Sequence, residues 1–147
     1  MSDQQRQFIG EYAHQLDAAN RLVIPAKWRT GKSEDFCLIV RGEAGSISAL
    51  TKTELGKITH GIDSDPRLSP KEKRAKRLPF STALMATCDR QGRITLDAVL
   101  LKKAGLREKV VLVGMIERFE IWSTEAWERK RPQLESDHTA TLDELGI

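Results

Sequence analysis

Apolar residues in this chain gather in short runs, and the runs come twice in the same order. Residues 12–16 read as a strand that ends at Asp17, with Ala18-Ala-Asn20 as a tight turn and Leu22-Val-Ile24 as the return strand. Asn tolerates a positive φ, which such a turn requires. In the second copy Gln91-Gly92 makes the turn, Gly removing the steric cost, and Ile94-Thr-Leu96 returns. Each unit is thus predicted to begin as a β-hairpin with Asp and Arg on the two sides of its turn. A short helix follows: Pro25 leads Ala26-Lys-Trp-Arg29, and Asp97, as N-cap or first-turn acid, leads residues 98–104, which stop at Gly105. Residues 36–40 and 110–113 are apolar almost throughout, which predicts strands buried on both faces. Another strand and a closing helix capped by Thr51 or Ser123 come next, with Trp122 and Trp127 packed beneath the second.

The copies also share wording. Asp17-Ala-Ala-Asn-Arg21-Leu-Val-Ile-Pro-Ala26 recurs as Asp89-Arg-Gln-Gly-Arg93-Ile-Thr-Leu-Asp-Ala98, an offset of 72 (89 − 17). Carried on without a gap, that offset lays Cys37-Leu-Ile-Val40 on Lys109-Val-Val-Leu112 and Gly42 on Gly114. It also lays Ile47-Ser-Ala-Leu50 on Phe119-Glu-Ile-Trp122. A unit of about 45 residues is too small to bury an adequate core, so two are expected to complete one barrel-like core together. The predicted organisation is a first domain at 8–57, a linker with a basic helix at 58–80, a second domain at 81–130 and an acidic, unstructured tail at 131–147. The linker is polar over residues 60–69, with turns at Asp65-Pro66 and Ser69-Pro70, before the helical run Lys71-Glu-Lys-Arg-Ala-Lys-Arg77. After Pro132 the chain is polar and acidic, which predicts little structure.

Charge sharpens the picture. The net charge is +3, but residues 133–147 hold Glu135, Asp137, Asp143 and Glu144 and no Lys or Arg. The rest therefore carries +7 (3 + 4), a basic body that suits a polyanion. The polar N-terminal stretch, Met1-Ser-Asp-Gln-Gln-Arg-Gln, lacks the apolar core of a signal peptide, and no run of 18 apolar residues occurs. A cytoplasmic location and no membrane association are expected.

The residue types leave three kinds of chemistry open. In Asp-x-x-x-Arg, the Asp can brace the turn while the Arg reaches a ligand; Arg21 and Arg93 are the candidate readers and Asp17 and Asp89 the braces. Arg matches the O6 and N7 of guanine bidentately, and a two-stranded ribbon fits the major groove. Lys27 and Arg90 add positive charge nearby, and the basic run 71–77 can add phosphate contacts. Cys88 beside Asp89 can be drawn as a thiol nucleophile. No phosphate-cradling loop, serine elbow or zinc spacing occurs, and no cofactor, metal or small-molecule substrate is expected.

Several segments together resemble the MraZ family, regulators built from two SpoVT/AbrB-type domains. They are Gly10-Glu-Tyr with Leu16-Asp-Ala-Ala-Asn-Arg-Leu-Val-Ile-Pro-Ala-Lys-Trp-Arg29, Cys88-Asp-Arg-Gln-Gly-Arg-Ile94, Ala104-Gly-Leu-Arg-Glu-Lys-Val-Val-Leu-Val-Gly114, and Arg118-Phe-Glu-Ile-Trp122 followed by Trp127. They span about residues 8 to 130. The resemblance implies an α+β, β-rich fold: a pseudo-symmetric AbrB/SpoVT-like barrel of two tandem β-hairpin–helix–strand repeats with flanking helices. It implies a nucleoid-associated, non-enzymatic repressor that binds double-stranded DNA at G-rich direct repeats in the promoter of the division and cell-wall gene cluster. It also implies assembly as a homo-oligomeric ring, with Asp17, Arg21, Asp89 and Arg93 on the DNA-binding surface. Asn20 stands where the family pattern has Gly, Ala19 where a basic residue is frequent, and Asp97 where Pro is common. Two other readings stay open: an antitoxin of the AbrB/MazE type that binds DNA and a toxin, and a Cys88-dependent hydrolase.

Overall fold

Asn20 and Gly92 adopt positive φ angles of 60° and 80°, closing the two turns that the sequence predicts. The computed structural model describes residues 6–41 and 45–147; the N-terminal residues 1–5 and Gly42 lie outside them. The first copy supplies β1 (Glu11–Gln15), β2 (Arg21–Val23), a 3-10 turn (Ala26–Trp28), β3 (Glu34–Val40), β4 (Ser46–Thr51) and α1 (Lys52–Ser64). Helix α2 (Pro70–Arg77) and a second 3-10 turn (Leu78–Thr82) connect to β5 (Leu84–Cys88). Then come β6 (Arg93–Thr95), α3 (Ala98–Ala104), β7 (Lys109–Gly114), β8 (Arg118–Ser123) and α4 (Thr124–Leu145).

Strand pairing departs from the predicted hairpins. The turns reverse the chain, and each keeps one closing bond, Asp17 N–H to Arg21 O at 3.1 Å and Asp89 N–H to Arg93 O at 2.9 Å. Beyond that bond the strands are exchanged between copies. β1 pairs with β7, β5 pairs with β3, and the return strands β2 and β6 pair with each other. Two ladders result: an antiparallel six-stranded sheet in the order β1-β7-β8-β4-β3-β5, and the two-stranded β2-β6 ribbon. The large sheet is open, with β1 and β5 as its edges, so the α+β, β-rich fold has an open sheet plus a ribbon where a closed barrel was expected. Burial explains the exchange. Leu22 and Ile94 face each other in the ribbon register and, with Ile24 and Leu96, are completely buried.

The gapless offset also needs correction. β2 and β6 are 72 residues apart, as are β4 and β8. Yet Phe36 pairs with Thr51 while Val110 pairs with Ser123, so β3 and β7 correspond at 74 (110 − 36). Two extra residues before β7 are balanced by a β7–β8 connection, 115–117, that is two shorter than the β3–β4 connection, 41–45. The second copy spends residues on a true helix, α3, where the first has a single 3-10 turn.

The core belongs to both copies. Phe8, Trp28, Phe36 and Phe119 form an aromatic cluster, with Phe119 5.3 Å from each of the other three ring centroids. Arg6 is buried over the Phe8 ring and donates to both carboxylate oxygens of Glu34, at 2.5 and 2.8 Å. On the outer face of β7 and β8, Trp122 and Trp127 pack against each other under the start of α4. Thr51 and Ser123 cap α1 and α4 as predicted, by accepting from the Glu54 and Ala126 amides.

Two helices run further than the sequence pattern predicts. α1 continues through residues 60–64, where a loop was expected. α4 continues through Pro132 to Leu145, where an unstructured tail was expected. Proline removes one i→i−4 bond, but the following residues keep helical spacing and Gly146 closes the end in a left-handed cap at φ 75°.

Candidate nucleic-acid interface

Each predicted Asp-x-x-x-Arg turn is built by its Asp. The Asp17 Oδ1 accepts the Ala19 and Arg21 amides at 2.9 and 2.8 Å, and its Oδ2 accepts the Arg21 Nε–H at 2.7 Å. Asp89 repeats the pattern: Oδ1 takes the Gln91 and Arg93 amides at 2.9 and 3.0 Å, and Oδ2 takes the Arg93 Nε–H at 3.1 Å. Short polar side chains that bond the backbone two residues on are the natural builders of such turns. In both, the backbone N–H of the partner arginine is the largest influence holding the carboxyl below its usual range, helped by that arginine's side chain.

This geometry separates the two letters of the motif. Asp occupies the Nε of each arginine, and the terminal guanidinium nitrogens of Arg21 and Arg93 have no hydrogen bond among the described residues. The ribbon then brings both arginines to one surface. Successive side chains on a strand alternate faces, so with Leu22 and Ile94 turned into the core, Arg21, Val23, Arg93 and Thr95 point outward. Arg21 lies opposite Thr95 and Arg93 opposite Val23, so the two arginines sit on a diagonal of the same face. Strand exchange is what puts them together.

Paired Asp and Arg cancel, so the local positive excess comes from other side chains. Arg90 projects from the second turn and Lys27 from the first 3-10 turn, both exposed. Arg29, which the sequence reading left without a role, reaches from the first copy to the second turn, where its Nη1 donates to Gln91 O at 3.1 Å. A cleft of about 350 Å³ opens beside that turn, with Arg29, Lys32 and Arg90 along its wall. The sequence signal for Arg29 was faint: one basic residue after Trp28. Helix α2 packs on α1, where Lys73 donates to Asp63 O at 2.8 Å and Arg77 pairs with the Asp63 carboxylate.

The candidate thiol has a different setting. Cys88 is 2 % exposed, and burial, with Glu34 and Asp89 nearby, pushes its thiol up to about 11. That environment disfavours the thiolate needed for attack. Among the described residues no group of three or more His, Cys, Asp or Glu is placed to hold a metal ion, and no helix is long and apolar enough to cross a membrane.

Comparison with known proteins adds an independent line. The profile of one family, described as "MraZ protein, putative antitoxin-like", matches residues 7–77 and 80–145. The chain is similar to proteins named "Transcriptional regulator MraZ". With that of Lactobacillus delbrueckii subsp. bulgaricus it shares 36 % identity over 138 residues, 94 % of this chain and 96 % of the relative. With that of Clostridium botulinum it shares 34 % over 142 residues, 95 % and 99 % of the two chains. With that of Ligilactobacillus salivarius it shares 38 % over 122 residues, 82 % and 84 %.

Proposed function

The chain belongs to the MraZ family, and on that premise we propose that it is a transcriptional repressor that binds double-stranded DNA through the β2-β6 ribbon. Its site is the nucleoid in the cytoplasm. Its targets are G-rich direct repeats in the promoter of the division and cell-wall gene cluster, and a ring of identical subunits engages successive repeats. One observation carries the reading: two turns with the same carboxylate cradle present Arg21 and Arg93 on one solvent-facing ribbon.

Mechanistically, Asp17 and Asp89 take up the Nε–H and leave the paired terminal nitrogens aimed outward. Those nitrogens match guanine O6 and N7, a contact worth about 1–3 kcal/mol of base discrimination. The major groove, about 12 Å wide, admits a two-stranded ribbon. Lys27 and Arg90 supply attraction to phosphate, which orients the ribbon without reading sequence. One protomer offers few contacts, so linked protomers on repeated sites gain affinity by effective concentration, and repeat spacing becomes part of the specificity.

The test is a titration of labelled promoter duplex with wild type and the Arg21→Ala/Arg93→Ala variant at several salt concentrations. The expected outcome is at least a tenfold loss of affinity in the variant and a steep salt dependence in the wild type. Equal affinity, or binding indifferent to salt, overturns the assignment. The family description also favours a second reading, an antitoxin-like protein with a toxin partner; recovery of a stoichiometric small protein with the native chain would support it.

A further inference from the structure

Arg29 ties the first copy to the turn of the second. Its Nη1 bonds Gln91 O, and its guanidinium lies over Gly92 so closely that a Cβ built there would stand 2.6 Å from Arg29 Cζ. Gly92 is therefore favoured twice, for its φ of 80° and because a Cβ there would make the Arg29 side chain shift. Gly92 also accepts from the Ile24 amide at 2.7 Å and donates to Asp89 O at 2.9 Å. The second turn is thus held by Asp89 from within, by Ile24 from the ribbon side and by Arg29 from outside.

At the first turn only two of these three supports recur. Asp17 builds it from within, and the Leu96 amide donates to Asn20 O at 2.8 Å, as Ile24 does to Gly92. The third has no counterpart: among the described residues no side chain donates to Ala19 O, which stands where Gln91 O does in the second turn. The Arg29 Nε is also buried without a hydrogen-bond partner among the described residues. A long cation has given up part of its hydration to keep this seat.

We propose that Arg29 is a positioning residue for DNA recognition, which locks the second Asp-x-x-x-Arg turn in its binding conformation and makes Arg93 the pre-ordered reader of the pair. The inference rests on the DNA-binding reading above. Its consequence is a built-in asymmetry within each protomer: Arg93 meets DNA with its turn already fixed, while Arg21 meets it on a turn with one support fewer. Pre-organisation of this kind raises affinity without adding a contact.

The experiment uses the full chain as wild type, Arg29→Ala, Arg29→Lys, Gly92→Ala and Arg29→Ala/Gly92→Ala. Binding of a labelled duplex from upstream of the protein's own gene is measured across salt concentrations, and amide hydrogen exchange is followed at both turns. Arg29→Ala is expected to weaken binding by about fivefold, the scale of re-ordering one backbone residue. The slope of affinity against salt should stay that of the wild type, with faster exchange at Gly92 and Arg93 and no change at Asn20 and Arg21. Lys at position 29 can still donate to Gln91 O and should recover part of the loss. Gly92→Ala should weaken binding less in the Arg29→Ala background than in the wild type, because only the φ penalty remains. A salt slope reduced by about one would make Arg29 a direct phosphate contact and overturn the proposal. Unchanged exchange at Gly92 and Arg93 in Arg29→Ala would overturn it as well. A wild type that binds no duplex fails the DNA-binding reading itself, whereas Arg29 variants that bind as wild type does fail this inference alone.

Discussion

Asp17 grips Arg21 at both ends of the residue. One carboxylate oxygen holds its backbone amide at 2.8 Å and the other its Nε–H at 2.7 Å, and Asp89 does the same to Arg93. The acid thereby sets both where the arginine starts and which of its nitrogens are left to face a ligand. An exposed ion pair of this kind adds little to folding stability. Its importance lies in orientation.

Replacing Asp17 or Asp89 by Ala should therefore separate binding from stability. Each variant is expected to keep a near wild-type thermal midpoint and to lose DNA affinity, although a negative charge beside the phosphates has been removed. Asn, which retains one acceptor oxygen, should lose less than Ala. Paired thermal melts and DNA titrations check this, and an affinity gain in Asp89→Ala would refute the bracing role.

The same bonds fix the pH behaviour. Both carboxyls are held below the usual value of 3.8, first by the amides of Arg21 and Arg93. For a carboxyl depressed in the folded state, the stabilisation is present above the unfolded value and is lost only as pH falls through the lower folded one. The turns should accordingly keep their geometry from neutral pH down to about 4. Carboxyl chemical shifts followed by NMR would show Asp17 and Asp89 titrating below 3.8; titration at or above that value would contradict the geometry.

Phe119 is completely buried at the centre of the aromatic cluster shared by both copies. Truncation to Ala should cost about 3–5 kcal/mol. Chemical denaturation should show this as one cooperative transition moved to lower denaturant. Two separate transitions would mean that the copies do not share a core.

Cys88 should resist thiol reagents in the native protein at pH 8, since its thiol is pushed up to about 11 and is 2 % exposed. Denaturant should expose it to rapid labelling. Fast native labelling would revive the nucleophile reading, and a Cys88→Ala variant should bind DNA as the wild type does.

Beyond Trp127, helix α4 has no buried residue. Ending the chain after Pro132 keeps the Arg131–Glu11 ion pair and removes four acidic residues. The thermal midpoint should hold while helical circular dichroism falls, and DNA affinity at low salt should rise as the net charge goes from +3 to +7 (3 + 4). A lower affinity would give the acidic helix a binding role of its own.

Much of this was legible in the residues. The positive φ at Asn20 and Gly92, the caps at Thr51 and Ser123, the stop at Gly105 and the Asp-x-x-x-Arg turns are local, and each depends on only a few neighbours along the chain. Hidden were the choice of strand partners, the two-residue shift between β3 and β7 and the bracing by Arg29. A three-residue strand such as β2 pairs equally well with any short apolar neighbour, so its own sequence holds no instruction about which one.

The sequence by itself determined two turns, two arginines aimed by two aspartates, and the repetition of that unit, because these depend on short-range sterics and hydrogen bonds. Only the tertiary structure decided that the two copies exchange strands, set Arg21 and Arg93 diagonally on one ribbon and lend Arg29 to one turn alone. Neither copy can cover its own apolar face, and the arrangement that buries Leu22, Ile24, Ile94 and Leu96 together is a property of both at once.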